Sequence, residues 1–379
     1  MKRIYLDYAA ATPVDPRVLE AIMPYFSEKF HNPSALYAEA RNVKADLESA
    51  RHQTAQLIGA KPSEIIFTAG GTESANLAVH GVMQSFPDGN MLLSAIEHEA
   101  VAKPAENYQH SVIPVDKYGI VDDEYILKKS NDSTVLVSVM IANNEVGTLQ
   151  PIKQISEIIK KIRHNRRKNG IKTPIYLHID ACQAPLYLDV NVSKLGIDLM
   201  TLNGGKMHGP KQSGILYVKA GVIIKPIISG GGQEWGYRSG TENVAFAVGF
   251  TKALEIADKG RPARAKKIAE LREYFIKELE NKFGAEISGH RKHRLANNIN
   301  ALFPGIDNER VVFALDDLGV SASTGSACSA SNEEASHVLL AIGRSEQEAR
   351  SSIRFSLGRL SNKEIIDKTL EILTIALKA

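Results

Sequence analysis

Short apolar runs recur along the chain at residues 64–68, 91–96, 134–140, 175–180, 197–202 and 214–218. Each is too short for a stable helix and most are rich in β-branched residues, so each predicts a strand buried on both faces. Between several of them the apolar spacing lengthens to the helical period, at 74–83 and 152–163. Such alternation predicts a mainly parallel sheet covered by helices, with 214–218 as an antiparallel edge. The pattern changes after residue 256. A charged amphipathic segment, 262–283, leads to strand-like pieces at Ile287, 298–303 and 352–356, and a closing helix starts near Asn362. These elements predict a large α/β domain over residues 14–256 and a smaller α+β domain built from 1–13 and 257–379. No repeat or long linker separates the two.

Chemistry concentrates where the predicted strands end. Asp180 closes the run 175–180, and Lys206 follows the next run inside Asn203-Gly204-Gly205-Lys206. Ligands of open α/β sheets bind beyond the carboxyl ends of the strands, so both side chains can reach one molecule. Pyridoxal phosphate needs such a pair, an amine for its aldehyde and an acid beside its ring nitrogen. The turn Phe67-Thr68-Ala69-Gly70-Gly71-Thr72-Glu73-Ser74 joins a strand to a helix through two glycines, a shape that binds phosphate, although Thr72 fits a plain helix cap equally well. Gly204 to Gly209 is no Walker loop, since Pro210 stands where a lysine is required.

His98, just past another strand, can stack on a flat ring and move protons, or be structural. Ala102 denies it the second histidine of a zinc-protease helix. Asn143, in Asn143-Asn144-Glu145-Val146-Gly147, offers an amide to a ligand or closes an Asx turn. Gln183 lies in the first turn after Asp180, and Cys182 beside it reads as a packed thiol. Arg354, in an alternating stretch, can fork a carboxylate or form a structural ion pair. Gly230-Gly231-Gly232 and Arg238-Ser239-Gly240-Thr241 make a second donor-rich turn. Small and polar residues surround Cys328 over 323–332; a thiol there is reachable as a nucleophile if its thiolate is stabilised, and is otherwise an incidental exposed cysteine.

Composition narrows the classes. With 379 residues, 44% hydrophobic and 23% charged, the chain buries a sizeable core, and a formal charge of +3 gives no reason to expect direct nucleic-acid binding. The basic run 160–168 reads as a solvated helix end favoured by the helix dipole, with an acidic partner or nucleic acid as the alternative. No signal-peptide core and no membrane span appear, so a cytoplasmic location without membrane attachment is the expectation. Two cysteines, Cys182 and Cys328, make neither a disulfide framework nor a metal site. Cys328 alone can at most lend one transient ligand to an iron-sulfur cluster.

In order and context these segments resemble the cysteine desulfurases, the class V branch of fold-type I pyridoxal-phosphate-dependent transferases. The resemblance spans essentially the whole chain, through Leu6-Asp7-Tyr8-Ala9-Ala10-Ala11-Thr12-Pro13, Gly71-Thr72-Glu73-Ser74, Glu97-His98, Asn143-Asn144-Glu145-Val146-Gly147, Asp180-Ala181-Cys182-Gln183, Arg238-Ser239-Gly240-Thr241, Gly325-Ser326-Ala327-Cys328 and Arg354-Phe355-Ser356. It implies that Lys206 condenses with the cofactor, Asp180 pairs with its ring nitrogen, Gln183 bonds its ring oxygen, and His98 stacks on the ring and shuttles protons. Gly71 and Thr72 would cradle the phosphate, Thr241 would reach the phosphate of the other subunit of a homodimer, and Asn143 and Arg354 would hold the substrate carboxylate. Cys328 would take sulfur from L-cysteine as a persulfide, leaving L-alanine, and pass it to an acceptor or scaffold protein for iron-sulfur clusters or tRNA thiolation. Selenocysteine lyase, cysteine sulfinate desulfinase and a non-catalytic sulfur-relay protein are the rival readings.

Two departures change the picture. The family's usual Ser-Gly-His-Lys is here Asn203-Gly204-Gly205-Lys206, which removes an imidazole and a hydroxyl from the phosphate grip; Asn203, or His208 in place of the usual tyrosine, is the candidate substitute. The chain ends at Ala379, before the tail with which housekeeping members dock the cluster scaffold, so a scaffold partner is a weaker expectation than the chemistry.

Overall fold

The computed structural model describes residues 3–325 and 335–378. Strand β1 (Ile4–Tyr5) lies apart from the main sheet, which is built from β2 (Ile65–Thr68), β3 (Asn90–Ser94), β4 (His110–Ile113), β5 (Thr134–Ser138), β6 (Tyr176–Asp180), β7 (Leu199–Asn203) and β8 (Gly214–Val218). These seven run in the order β2-β8-β7-β6-β5-β3-β4. From β4 to β7 all neighbours are parallel, while β8 is antiparallel to both β7 and β2. The expected antiparallel strand at 214–218 is therefore present but interior. Strand β2 adds beyond it, and every residue of β8 is buried, as a strand paired on both sides and covered on both faces requires. At the other edge lies β4, whose first three residues are exposed; without a continuous apolar run it gave no signal.

The smaller unit contains β9 (Glu286–Ile287), β10 (Asn298–Leu302), β11 (Val320–Ser321) and β12 (Ser352–Ser356). An antiparallel sheet orders them β12-β10-β9, and β11 pairs in parallel with β1. The amino terminus thus packs on the small unit, then crosses to the large one, where the Thr12 N–H donates to Gly205 O at 3.1 Å. A 40-residue helix, Val244–Phe283, runs without a break through the expected boundary at 256 and buries Phe250 and Leu254 in its first half, Phe275 and Leu279 in its second. Its first half is apolar nearly all round, so it shows no helical period, and Pro262 inside it mimics a helix start. One continuous hydrophobic cluster includes residues of both units.

The basic run ends the helix Ile152–Lys168. It is more than a solvated end: Arg166 is buried and donates to the carbonyls of Thr173, Pro174 and Thr134, and Arg163 to that of Ile175. Among the described residues no helix is long and apolar enough to cross a membrane.

Candidate functional site

Because β5, β6 and β7 are parallel, their carboxyl ends open on one side of the sheet, and there a chamber of about 230 Å³ lies between the two units. Asp180 ends β6, with Oδ1 accepting the Cys182 N–H at 2.9 Å. Lys206 follows β7 in a short turn; its Nζ donates to Ala9 O at 3.0 Å and Ala10 O at 2.6 Å, bonds that tie it to the crossing amino-terminal segment. Gln183 Nε2 donates to the same Ala9 carbonyl at 3.0 Å. All three side chains line the chamber.

The helix Gly71–Ser85 begins at the chamber wall. Gly70 before it has φ +109°, a conformation that side chains resist, and this lets the strand turn sharply into the helix. At Gly71 an added Cβ would stand 2.8 Å from Cys182 Sγ and 3.3 Å from Asn203 Nδ2. The wall is thus bare backbone, and the first amides of the helix have no partner within it. Asn203 Oδ1 is used by the Gly205 N–H at 3.0 Å, which leaves the amide nitrogen beside Gly71. Helix amides, the Thr72 hydroxyl and the Asn203 amide form a donor set that fits a phosphate. His208 is not part of it: its Nδ1 meets Pro13 O at 2.9 Å and its ring packs on Tyr8.

His98 caps the next helix, Glu99–Ala105, with Nδ1 accepting the Ala100 N–H at 3.0 Å. The neutral ring therefore carries its proton on Nε2. Arg354 comes from the small unit and is buried; Nη2 pairs with Asp7 Oδ1 at 2.8 Å, Nη1 reaches Asn144 O at 3.3 Å, and Nε has no partner. It is at once an ion-pair member and a chamber wall. Cys182 lines the chamber instead of packing away from it. Burial and then Asp180 push its thiol well above the usual range, against the pull of Lys206, so it stays protonated and unreactive.

One expected residue is not brought to the chamber. Asn143 is wholly buried: Nδ2 donates to Ile96 O at 3.0 Å, and Oδ1 accepts from the Glu145 and Val146 amides, both at 2.8 Å. Its amide is consumed in shaping the turn, and its neighbour Asn144 takes the place on the wall. Thr241 lies exposed in a separate surface depression with Gln212 and Arg238. Cys328 is outside the described residues. The described chain stops at Gly325, where an added Cβ would be 3.2 Å from Glu145 Oε2, and resumes so that the Ser336 hydroxyl donates to that same oxygen. Glu145 lines the chamber, so Gly325 and Ser336 both stand beside one of its lining residues.

Glu97 and His337 also line the chamber and were not singled out in the sequence. A charged residue after an apolar run looks like an ordinary surface turn, and only burial sets Glu97 apart. Among the described residues no group of three or more His, Cys, Asp or Glu side chains is placed to hold a metal ion.

The aminotransferase class-V family matches residues 4–369. The cysteine desulfurase IscS of Dictyoglomus turgidum is 42% identical over 382 residues, covering 98% of this chain and 94% of the relative. Among solved structures, a NifS-like protein superposes with a TM-score of 0.90 at 34% identity, covering 98% of this chain and 99% of that one. SspA, solved in complex with cysteine, has a TM-score of 0.80 at 33% identity and covers 93% of this chain and 98% of its own. The architecture is that of the fold-type I enzymes, and the chain belongs to the class-V aminotransferase family, among its pyridoxal-phosphate-dependent cysteine desulfurases.

Proposed function

We propose that the chain is a homodimeric cysteine desulfurase that converts L-cysteine to L-alanine and holds the released sulfur as a persulfide on Cys328. The observation that carries this reading is the single chamber in which Asp180, Lys206, His98, Gln183 and Arg354 meet beside a bare helix start. Bound pyridoxal phosphate supplies an aldehyde for amine condensation and a protonated ring that accepts electrons. Lys206 holds the cofactor and then moves a proton at the substrate α-carbon, while Asp180 keeps a negative charge at the ring nitrogen. Gln183 would donate to the ring oxygen, and His98 would stack on the ring with its Nε2–H available to move protons. Gly71, Thr72 and Asn203 hold the phosphate, with the Asn203 amide in place of the missing histidine. Arg354 binds the substrate carboxylate from its place on the chamber wall. The Cys328 thiolate attacks the substrate sulfur: the C–S bond breaks, an S–S bond forms, and the carbon left behind takes a proton to become alanine. The placement of Gly325 and Ser336 beside Glu145, a chamber residue, supports that reach.

Thr241 lies outside its own chamber, which supports a role toward a second subunit. Its depression is joined to the phosphate helix by the Arg238–Glu73 ion pair at 3.0 Å. We place the enzyme in the cytoplasm, with a large unit over residues 14–256 and a small one over 1–13 and 257–379. The persulfide's acceptor is a protein serving iron-sulfur clusters or tRNA thiolation.

The test is an absorbance titration of the purified chain with pyridoxal phosphate, where a Schiff-base band near about 400 nm is expected, followed by alanine release from L-cysteine in wild type and Cys328→Ala. No band sinks the cofactor site. Undiminished alanine release by Cys328→Ala sinks the persulfide route. Selenocysteine and cysteine sulfinate in the same assay rank the rival substrates.

A further inference from the structure

Glu97 sits where β3 hands over to the helix capped by His98, and only 1% of its surface is exposed. Its Oε1 accepts the Met140 N–H at 2.6 Å, while Oε2 is buried with no hydrogen-bond partner. His337 Nε2 donates to its main-chain carbonyl at 3.0 Å, which fixes the backbone from the small-unit side. Among the described residues no ion pair and no second donor to the Glu97 carboxyl is seen. The cations of the same chamber are committed elsewhere, Lys206 to the Ala9 and Ala10 carbonyls and Arg354 to Asp7. The other titratable groups around the chamber are His98, His337 and Cys182, none of which donates to the Glu97 carboxyl, and the acids Asp180, Glu145 and Glu99. A buried carboxylate without a cation or a second donor is expensive, and protonation removes that charge at the smaller cost of one O–H to place.

We propose that Glu97 is a positioning residue that works as a neutral acid buried in the chamber wall, and on ionising adds a negative charge that acts through Asp180 on the cofactor's ring. Electrostatics agree with the geometry. Burial first, then Asp180, push the Glu97 carboxyl up to about 8, against the Met140 amide. The acid is therefore neutral at physiological pH, and its proton leaves to solvent on the alkaline side. Loss of that proton changes the charge facing Asp180 without moving any residue of the phosphate cradle. The inference rests on reading the chamber as the cofactor site.

Infrared difference spectra of the cofactor-free chain, recorded while the pH is raised, test the protonation itself. Wild type should keep the carbonyl stretch of an undissociated acid at neutral pH and lose it near pH 8, and Glu97→Gln should lack that band at every pH. The holoenzyme's absorbance titration is the second readout. Wild type should show an alkaline transition that Glu97→Gln abolishes. A wild-type chain that shows no acid band at neutral pH overturns the proposal even when the Schiff-base band is normal; a chain that never forms the Schiff-base band fails instead at the level of the site. Persistence of the alkaline transition in Glu97→Gln also overturns it, since the titrating group is then another residue.

Discussion

Gly71→Ala tests whether the phosphate cradle is built from bare backbone. The new Cβ would stand 2.8 Å from Cys182 Sγ and 3.3 Å from Asn203 Nδ2, against the roughly 3.5 to 4.0 Å of relaxed contacts, so something must move. Overpacking of this kind costs about 1 to 3 kcal/mol. Replacing a helical glycine returns up to about 1 kcal/mol, so global stability should change by about 0 to 3 kcal/mol. Cofactor affinity should suffer more, because the atoms displaced belong to the donor set itself; a loss of about tenfold or more is expected, the worth of one phosphate hydrogen bond. Cys182→Ala removes the nearer obstacle. In the double variant affinity should recover, with a coupling energy of about 0.5 to 3 kcal/mol. The assay is absorbance titration of each cofactor-free variant with pyridoxal phosphate, with urea unfolding measured alongside. Wild-type affinity in Gly71→Ala would refute the cradle, and weak binding that Cys182→Ala fails to restore would refute the thiol as the controlling contact.

Acid should destabilise the protein through His178, which is fully buried between Ser138 at 2.8 Å and Thr201 at 3.0 Å. Burial holds its imidazole down to about 4 from 6.5, so the folded state prefers the neutral ring: this stability is present above about pH 6.5 and is lost as pH falls through 4, about 3 kcal/mol in all. Urea unfolding between those pH values should show the loss in wild type and not in His178→Gln. Arg51→Ala should cost about 3 to 5 kcal/mol in the same assay, because it strands Glu234, whose carboxylate lies 2.7 Å from Arg51 with both side chains almost fully buried. Arg354→Lys replaces a fork by a point charge and should raise the KM for L-cysteine by about tenfold or more, read by steady-state alanine release; an unchanged KM would move the carboxylate site elsewhere.

The amino-acid sequence determined the layered α/β design and the place of its chemistry. Continuous apolar runs are the mark of strands covered on both faces, and Asp180 and Lys206 stand beside the ends of two of them, so their nearness follows from parallel strands alone. Gly71 and Thr72 are legible for the same reason, since a strand turning into a helix through glycine leaves amides free. Tertiary structure decided what periodicity does not encode. Which of two adjacent asparagines faces the chamber depends on how the turn folds, and the turn uses Asn143 internally and leaves Asn144 on the wall. The interior position of β8 depends on β2 pairing beyond it, a contact between residues far apart in the chain. Glu97 is the clearest case. Written in sequence it is a charged residue in a turn, and only enclosure without a counter-ion, created by elements from both units, turns it into a neutral acid.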